Sequence, residues 1–317
     1  MELQVTRIRN ETPSIKAFEL AAPDGSELPP FTAGAHIDVD VDLPDGSRGR
    51  RSYSLASDPA DPSRYEIAVL HLPEGHGGSA YMHSQVSEGQ MLSCSQPVNE
   101  FPLSENADEH VLVAGGVGIT PILAMTHALR SRGADFQLHY AARTEDHMAF
   151  RELARQLAGD GFHAYFTQSP NPNPMDLANL LGEPRSGRHA YVCGPSRLMK
   201  AVIATAQKLG WSDDQVHRES FGARSEPSDR AIEVELALSG MIVRVEPGTT
   251  ILHALINAGA FVSYECKRGE CGTCQARVLE GEPIHRDVSL TERQRNEDKL
   301  MCTCVSWSRT ERLVLEA

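Results

Sequence analysis

A multidomain chain is the fold class this sequence predicts: an antiparallel β-barrel, then an α/β domain around a parallel sheet, then an α+β domain. Three observations predict it. Short alternating segments broken by turn residues fill the first third, apolar strands and helical stretches alternate in the middle, and alternating strands return around a cysteine-rich loop at the end. A length of 317 residues suits two or three domains with separate cores, and three match the changes of pattern.

Residues 1–105 hold β-rich segments such as 36–43 and 65–70, separated by the turn signals Pro23-Asp24-Gly25, Pro44-Asp45-Gly46 and Glu88-Gly89. A small antiparallel barrel is the simplest closure. Over 106–225 the period changes. An apolar strand at 111–114 runs into a glycine turn and a helix from Thr120 or Pro121 to about Arg132. Strand 136–140, helix 147–158, strands 162–166 and 189–193 and helix 195–209 continue the alternation, which requires a parallel sheet. The stretch 222–230 is polar, contains Gly, Ser and Pro and reads as a linker. In 226–317, strands 232–236 and 241–245 flank the turn at Ser239-Gly240, and a short helix over 250–258 precedes the cysteine loop.

A formal net charge of −13 argues against a nucleic-acid partner and favours docking on a basic protein face. The start of the chain lacks a basic segment followed by an apolar one, and no apolar run approaches the length of a membrane span. A soluble, cytoplasmic protein with no membrane partner is the expectation. The seven cysteines are an odd number, which suits a reducing compartment better than a disulfide framework. The 13 histidines are scattered, without the clustering an iron oxygenase centre needs.

Cys266, Cys271 and Cys274 have the C-x4-C-x2-C spacing of a plant-type [2Fe–2S] site, with Cys304 following after 29 residues. Structural zinc prefers paired knuckles, and this asymmetric set lacks them. Four thiolates on two irons leave no position for a substrate, so such a cluster moves single electrons. Gly269 and Gly272 fall where the backbone must wrap the irons. Cys302 lies two residues before Cys304, and in a strand both point the same way, so direction alone does not choose between them.

Gly115-Gly116-Val117-Gly118-Ile119-Thr120-Pro121 follows an apolar strand, and small residues there let backbone N–H groups approach a pyrophosphate at a helix N-terminus. Thr120 can cap that helix and Pro121 suits its first position. The run departs from G-x-G-x-x-G, so a plain strand-to-helix turn is the alternative. Cys193-Gly194-Pro195 occupies the same place after a later strand, and both loops open at the carboxyl edge of the sheet. A third set, Arg51-Ser52-Tyr53-Ser54-Leu55 with Gly77-Gly78-Ser79, offers a ring to stack on a heteroaromatic group and donors for a terminal phosphate.

Taken together with Glu219-Ser220-Phe221, these residues resemble the phthalate dioxygenase reductase family over essentially the whole chain. The resemblance implies a flavin barrel over 1–105, an NAD domain over 106–225 and a plant-type ferredoxin over 226–317. It also implies FMN and NADH as cofactors and a Rieske non-haem iron oxygenase, acting on an aromatic compound, as acceptor. Position by position, it places FMN on Arg51, Ser52, Tyr53, Ser54, Ala68, Val69, Leu70, Gly77, Gly78 and Ser79. NADH falls on Gly115, Gly116, Val117, Gly118, Thr120, Pro121, Arg143, Cys193, Gly194 and Pro195. Phe221 matches the aromatic that covers the flavin face, Ser54, Thr120 and Cys193 stand with it at the reacting centre, and Cys304 is favoured as fourth ligand. Glu145 and Asp146 beside Arg143 disfavour the extra phosphate of NADPH. A cytochrome P450 or other monooxygenase as acceptor, a stand-alone flavin or ferric reductase, and a redox sensor are the competing readings.

Overall fold

Alternation of buried and exposed side chains forces the first strands to curl around their apolar faces. The computed structural model describes every residue except Asp45, 74–76, 222–228, Glu265, Cys266, Arg268, Glu270 and Val288. The described residues divide into two compact units, Met1–Glu219 and Ser220–Ala317.

Unit 1 begins with β1 (Glu2–Thr12), β2 (Ile15–Ala21), β3 (Ala35–Asp42), β4 (Arg48–Ser54), β5 (Tyr65–Leu70), helix α1 (Gly78–Ser84), β6 (Met91–Ser93) and β7 (Val98–Asn99). The strands form two antiparallel sheets, β5-β2-β1-β6 and β4-β3-β7. Bridges Val39 to Cys94 and Leu55 to Ile67 join them at both ends, which closes the barrel. Closure removes the open edges that would otherwise pair with another chain. Val5, Phe18, Leu20, Ile37, Val39, Leu55 and Ile67 are fully buried in its interior.

The α/β part follows as β8 (Glu109–Gly115), α2 (Ile119–Ser131), β9 (Asp135–Ala142), α3 (Arg151–Ala158), β10 (Phe162–Phe166), α4 (Leu177–Leu181), β11 (Arg188–Cys193), α5 (Ser196–Leu209) and β12 (Val216–Glu219). Its sheet is parallel throughout, in the order β10-β9-β8-β11-β12. The chain therefore reverses direction across the sheet between β8 and β11, the place where such folds open a crevice. Leu112, Ala114, Leu138, Tyr140, Tyr191 and Cys193 join the same core as the barrel residues. Val111, Val113, Ala190 and Val192, on the opposite face, are equally buried, so both faces are covered.

Polar contacts stitch barrel to sheet. The Phe150 N–H donates to Glu11 Oε2 at 3.0 Å, and the Ser54 hydroxyl donates to Glu219 Oε2 at 3.1 Å. Phe150 is buried with φ 54°, a left-handed conformation costly for an aromatic residue. That residue corrects one expectation. The helix anticipated over 147–158 starts only at Arg151, after a 3-10 turn at Glu145–His147, because Phe150 breaks the helical path. The strand β12 and the helices α1 and α4 were not anticipated.

Unit 2 contains β13 (Ile232–Leu236), β14 (Met241–Val245), α6 (Ile251–Asn257), β15 (Gln275–Glu280), β16 (Pro283–Ile284), α7 (Glu292–Asn296), β17 (Leu300–Cys302), β18 (Trp307–Ser308) and β19 (Arg312–Glu316). The main sheet runs β14-β13-β19-β15-β17, with only β13 and β19 parallel. Thr250 caps α6 by accepting from His253 N at 3.1 Å. Most of the expected linker lies outside the described residues. Asp229, expected there to be solvated, is instead buried and takes a two-point contact from Arg286, while Arg230 O accepts from Trp307 Nε1 at 3.1 Å. Among the described residues no helix is long and apolar enough to cross a membrane.

Histidines fill places in the parallel sheet that usually go to apolar side chains. His139 stacks on His163, and His217 stacks on both Tyr191 and His189. Burial, and then the neighbouring histidine, pushes His139 and His217 each down to about 4. Both are neutral when folded and take up protons more readily when unfolded, so stability is fully present above the ordinary value of 6.5 and is lost as pH falls towards 4. The chain has two tryptophans, Trp211 in unit 1 and Trp307 in unit 2. In a Trp307→Phe background, Trp211 fluorescence is expected to show the urea midpoint of unit 1 falling over that window. A further His217→Phe change should flatten the slope, and an unaltered slope would count against it.

Candidate functional site

The sheet edge is built on glycine. β8 ends at Gly115, the chain makes a 3-10 turn at Gly116–Gly118, and α2 starts at Ile119. On the neighbouring strand, β11 ends at Cys193 and Pro195 caps α5. These two loops lie backbone against backbone. A Cβ on Gly118 would sit 2.4 Å from the Cys193 carbonyl oxygen, and one on Gly194 would sit 3.0 Å from Gly115 Cα and N. A Cβ on Gly115 would strike Pro195 and Leu198, each at 2.8 Å. Gly115, Gly118, Cys193, Gly194 and Pro195 are thus brought together at the switch point, beside Val117. Two parts of the expectation need correction. Thr120 does not cap the helix; its hydroxyl donates to Val117 O at 3.1 Å and is buried, because α2 begins at Ile119, two residues before Pro121. Pro121 is accordingly the third helical residue rather than the first, still within the first turn, where its missing N–H costs nothing.

Arg143 follows β9 and is exposed. Of the acids beside it, Glu145 pairs with Arg151, and Asp146 accepts from Thr144 and lies 3.2 Å from His147 Nδ1.

In the barrel, Arg51, Ser52, Tyr53 and Ser54 end β4, and their side chains alternate between two faces. Arg51 lies against the start of α1: a Cβ on Gly78 would be 2.6 Å from its Nε, so the missing side chain leaves room for the guanidinium. Gly77 has φ 80° and packs on Pro44, where a Cβ would come within 2.3 Å. Ser79 is already engaged, its Oγ accepting from Leu72 N at 3.0 Å. Ser52 donates to Asp38 at 2.6 Å. Tyr53 has its phenol pushed up to about 12 by burial. Ala68 and Val69 are buried in β5, and Leu70 is half-buried. Motif reading had not singled out Glu219 as a site residue. It is 1% exposed, is aligned with Cys193 across the β11/β12 ladder and bonds Ser54, which makes it the one buried carboxylate joining barrel and sheet at this edge among the described residues. A carboxylate at the end of a late, short strand is the signal that could have found it.

In unit 2, Cys274 immediately precedes β15 and Cys302 ends β17. Cys304 stands in the turn beyond that strand, not in a strand as assumed above; Ser306 N donates to Cys302 O at 3.0 Å to close the turn. Cys274, Cys302 and Cys304 nonetheless share one buried cluster with Leu252, Leu290 and Val305. Hydrogen bonding from Cys302, and then from Cys304, holds the Cys274 thiol well below the ordinary cysteine range, and the same bond holds Cys302 above it. Cys271 is exposed on the loop, so the described residues gather Cys274 and Cys304 but not Cys271, and Cys266 lies outside them. Gly269 and Gly272 have φ 75° and 74°, and a Cβ on Gly269 would be 2.6 Å from Val305 Cγ2. Soft sulfur donors on a loop with left-handed glycines fit an iron–sulfur group. Asp287, fully buried beside Gly269, was also missed. It accepts from Leu290 N and Arg295, both at 2.9 Å, and lies well below the ordinary carboxylate range, at about 2. Burial opposes that direction, and hydrogen bonds from His285, Leu290 and Arg295 overcome it. Phe221 follows β12 in the chain and is 43% exposed.

Family models match in three blocks: an oxidoreductase FAD-binding domain over 2–102, the N-terminal domain of dimethylamine monooxygenase subunit DmmA-like proteins over 93–216, and a 2Fe-2S iron-sulfur cluster binding domain over 234–307. A vanillate O-demethylase oxidoreductase from a Pseudomonas species is 39% identical, covering 100% of this chain and 99% of its own. A tetrachlorobenzoquinone reductase from Sphingobium chlorophenolicum is 40% identical, covering 100% and 98%. Among solved structures, a phthalate dioxygenase reductase, described as modular for electron transfer from pyridine nucleotides to [2Fe-2S], is 34% identical with a TM-score of 0.75 and covers 100% of this chain and 98% of its own. Fold and domain content define an iron–sulfur flavoprotein oxidoreductase that uses NAD(H). Within that class, the chain belongs to the phthalate dioxygenase reductase family, together with the vanillate O-demethylase oxidoreductases.

The two glycines of the first loop separate space from conformation. Gly118 has ordinary φ but no room, whereas Gly116 has φ 55° and nothing within 4 Å of a Cβ. Gly116→Ala is expected to cost about 1–2 kcal/mol, the left-handed penalty alone. Gly118→Ala should cost more and also weaken NADH binding, by urea titration and equilibrium binding respectively; the reverse order of stability would refute the close-approach reading.

Proposed function

We propose that this chain is the reductase component of a Rieske-type oxygenase system, working in the cytoplasm. In this reading residues 1–105 bind FMN, 106–225 bind NADH, 226–317 carry the [2Fe–2S] cluster on Cys266, Cys271, Cys274 and Cys304, and the acceptor is a Rieske non-haem iron oxygenase that oxidises an aromatic compound. The observation that carries it is full-length similarity to an O-demethylase oxidoreductase, combined with the glycine-lined junction of the two sheet-edge loops.

When bound, the flavin accepts a hydride from NADH and the cluster relays electrons one at a time. The chain supplies binding and orientation. Arg51, held against the start of α1, offers a guanidinium to a phosphate. The backbone N–H groups of the 115–118 loop do the same for a pyrophosphate, with the α2 macrodipole behind them. Glu219 fixes the direction of the Ser54 hydroxyl at the barrel-to-sheet junction, acting as a positioning residue. Of the two acids beside Arg143, Asp146 adds negative charge near that arginine, which supports NADH over NADPH, while Glu145 is offset by Arg151. A second reading, direct reduction of a small quinone, is favoured by the tetrachlorobenzoquinone reductase relative.

Cys271→Ser should bleach the cluster and abolish electron delivery to a purified Rieske oxygenase while leaving NADH-to-ferricyanide turnover through the flavin. If the variant still supported the oxygenase, or if the native protein reduced only a quinone, the oxygenase reading would be wrong. Initial rates with NADH are expected to exceed those with NADPH at least tenfold, and equal rates would remove the donor assignment.

A further inference from the structure

We propose that Cys302, left over by the ligand spacing, is a positioning thiol that donates a hydrogen bond to the sulfur of Cys274 and raises the reduction potential of the cluster. This rests on the reading of Cys266, Cys271, Cys274 and Cys304 as ligands.

Register places the donor. β15 and β17 run antiparallel with Gln275 opposite Cys302, so Cys274, in the turn just before β15, is next in the chain to the residue that faces Cys302. Thr303 then clamps the Cys274 carbonyl twice, from its N–H at 3.2 Å and its hydroxyl at 3.0 Å, so the two segments cannot part. Cys302 has no exposed surface and sits among Leu252, Leu290 and Val305. A thiol there has no water to bond and needs a protein acceptor.

Among the described residues, Cys304 shares that buried cluster, but the Thr303 clamp holds Cys274 beside Cys302. Ser289 Oγ lies 3.4 Å from Cys302 Sγ, and Cys274 shares the same buried cluster. The nearby Asp287 carboxylate is taken up by Leu290 N, Arg295 and Ser306, so it does not compete. A ligand thiolate is a stronger acceptor than a hydroxyl. The arrangement is therefore a one-way chain in which Ser289 O–H donates to Cys302 and Cys302 S–H donates to Cys274. Reduction adds negative charge to the cluster sulfurs, and a donor aimed at one of them favours the reduced state.

The test uses full-length holoprotein with iron and sulfide counts, electron paramagnetic resonance of the dithionite-reduced sample and a spectroelectrochemical titration. Cys302→Ala is expected to keep its full iron and sulfide but to be harder to reduce, by up to tenfold in the reduction equilibrium, which is 59 mV for one electron. Cys302→Ser, which keeps a donor, should recover part of the shift, and Ser289→Ala should move the potential in the same direction by less. An unchanged potential in Cys302→Ala would overturn the proposal. So would loss of the cluster in both Cys302 variants with retention in Cys304→Ser, which would make Cys302 the ligand. Native protein holding neither iron nor sulfide would instead bring down the ligand assignment on which the proposal rests.

Discussion

Contact between two main chains at the carboxyl edge of the parallel sheet is the constraint on which unit 1 depends. β8 and β11 are neighbours, so the loops that leave them must share one narrow space, and glycine at 115, 118 and 194 is what makes that sharing possible. The start of α2 and the position of Thr120 both follow from it. Side chains there would separate the loops and leave polar backbone groups without their geometry. The NADH reading proposed above would add a chemical reason for the same economy, since a pyrophosphate is held by backbone only where backbone can be reached.

Unit 2 solves a different problem. Sulfur donors must be collected away from water without leaving buried charge uncompensated, and the strands β15 and β17 supply the frame while Asp287 and Arg295 order the loop between them. Three thiols meet in one apolar pocket, and hydrogen bonds among them shift proton affinity toward Cys302 and away from Cys274. This asymmetry sets Cys302 apart from Cys274, which carries the cluster spacing.

Much of this was legible in the chain itself. Strands 65–70, 162–166, 232–236 and 241–245 have the bounds read from the sequence: in the last two one buried face writes a period of two into the residues, and in the first two a short apolar or aromatic run between turn residues marks the strand. The multidomain class was legible for the same reason. What escaped depends on contacts distant in sequence. Glu219 acquires its place only when the barrel brings Ser54 to it across 165 positions. Phe150 gives no local sign that it will turn left-handed, since its N–H is held by Glu11 from the first strand. The helix α1 starts at Gly78 with Gly77 as its cap, a pair that propensity reads as a loop, and Asp229 looks solvated until Arg286 is found against it. Local pattern records periodicity and turns; it does not record which distant partner satisfies a buried polar group.

The bond between Glu11 and Phe150, with the common core around it, bears on how such proteins can be recombined. A chimaera spliced near residue 105 would pair a barrel from one relative with a sheet from another and would have to match Glu11, Ser54, Phe150 and Glu219 simultaneously. A splice after Glu219 severs none of these. Homologous exchange should therefore pass the first 219 residues on as an indivisible block, leaving the iron-binding end free to be shuffled separately.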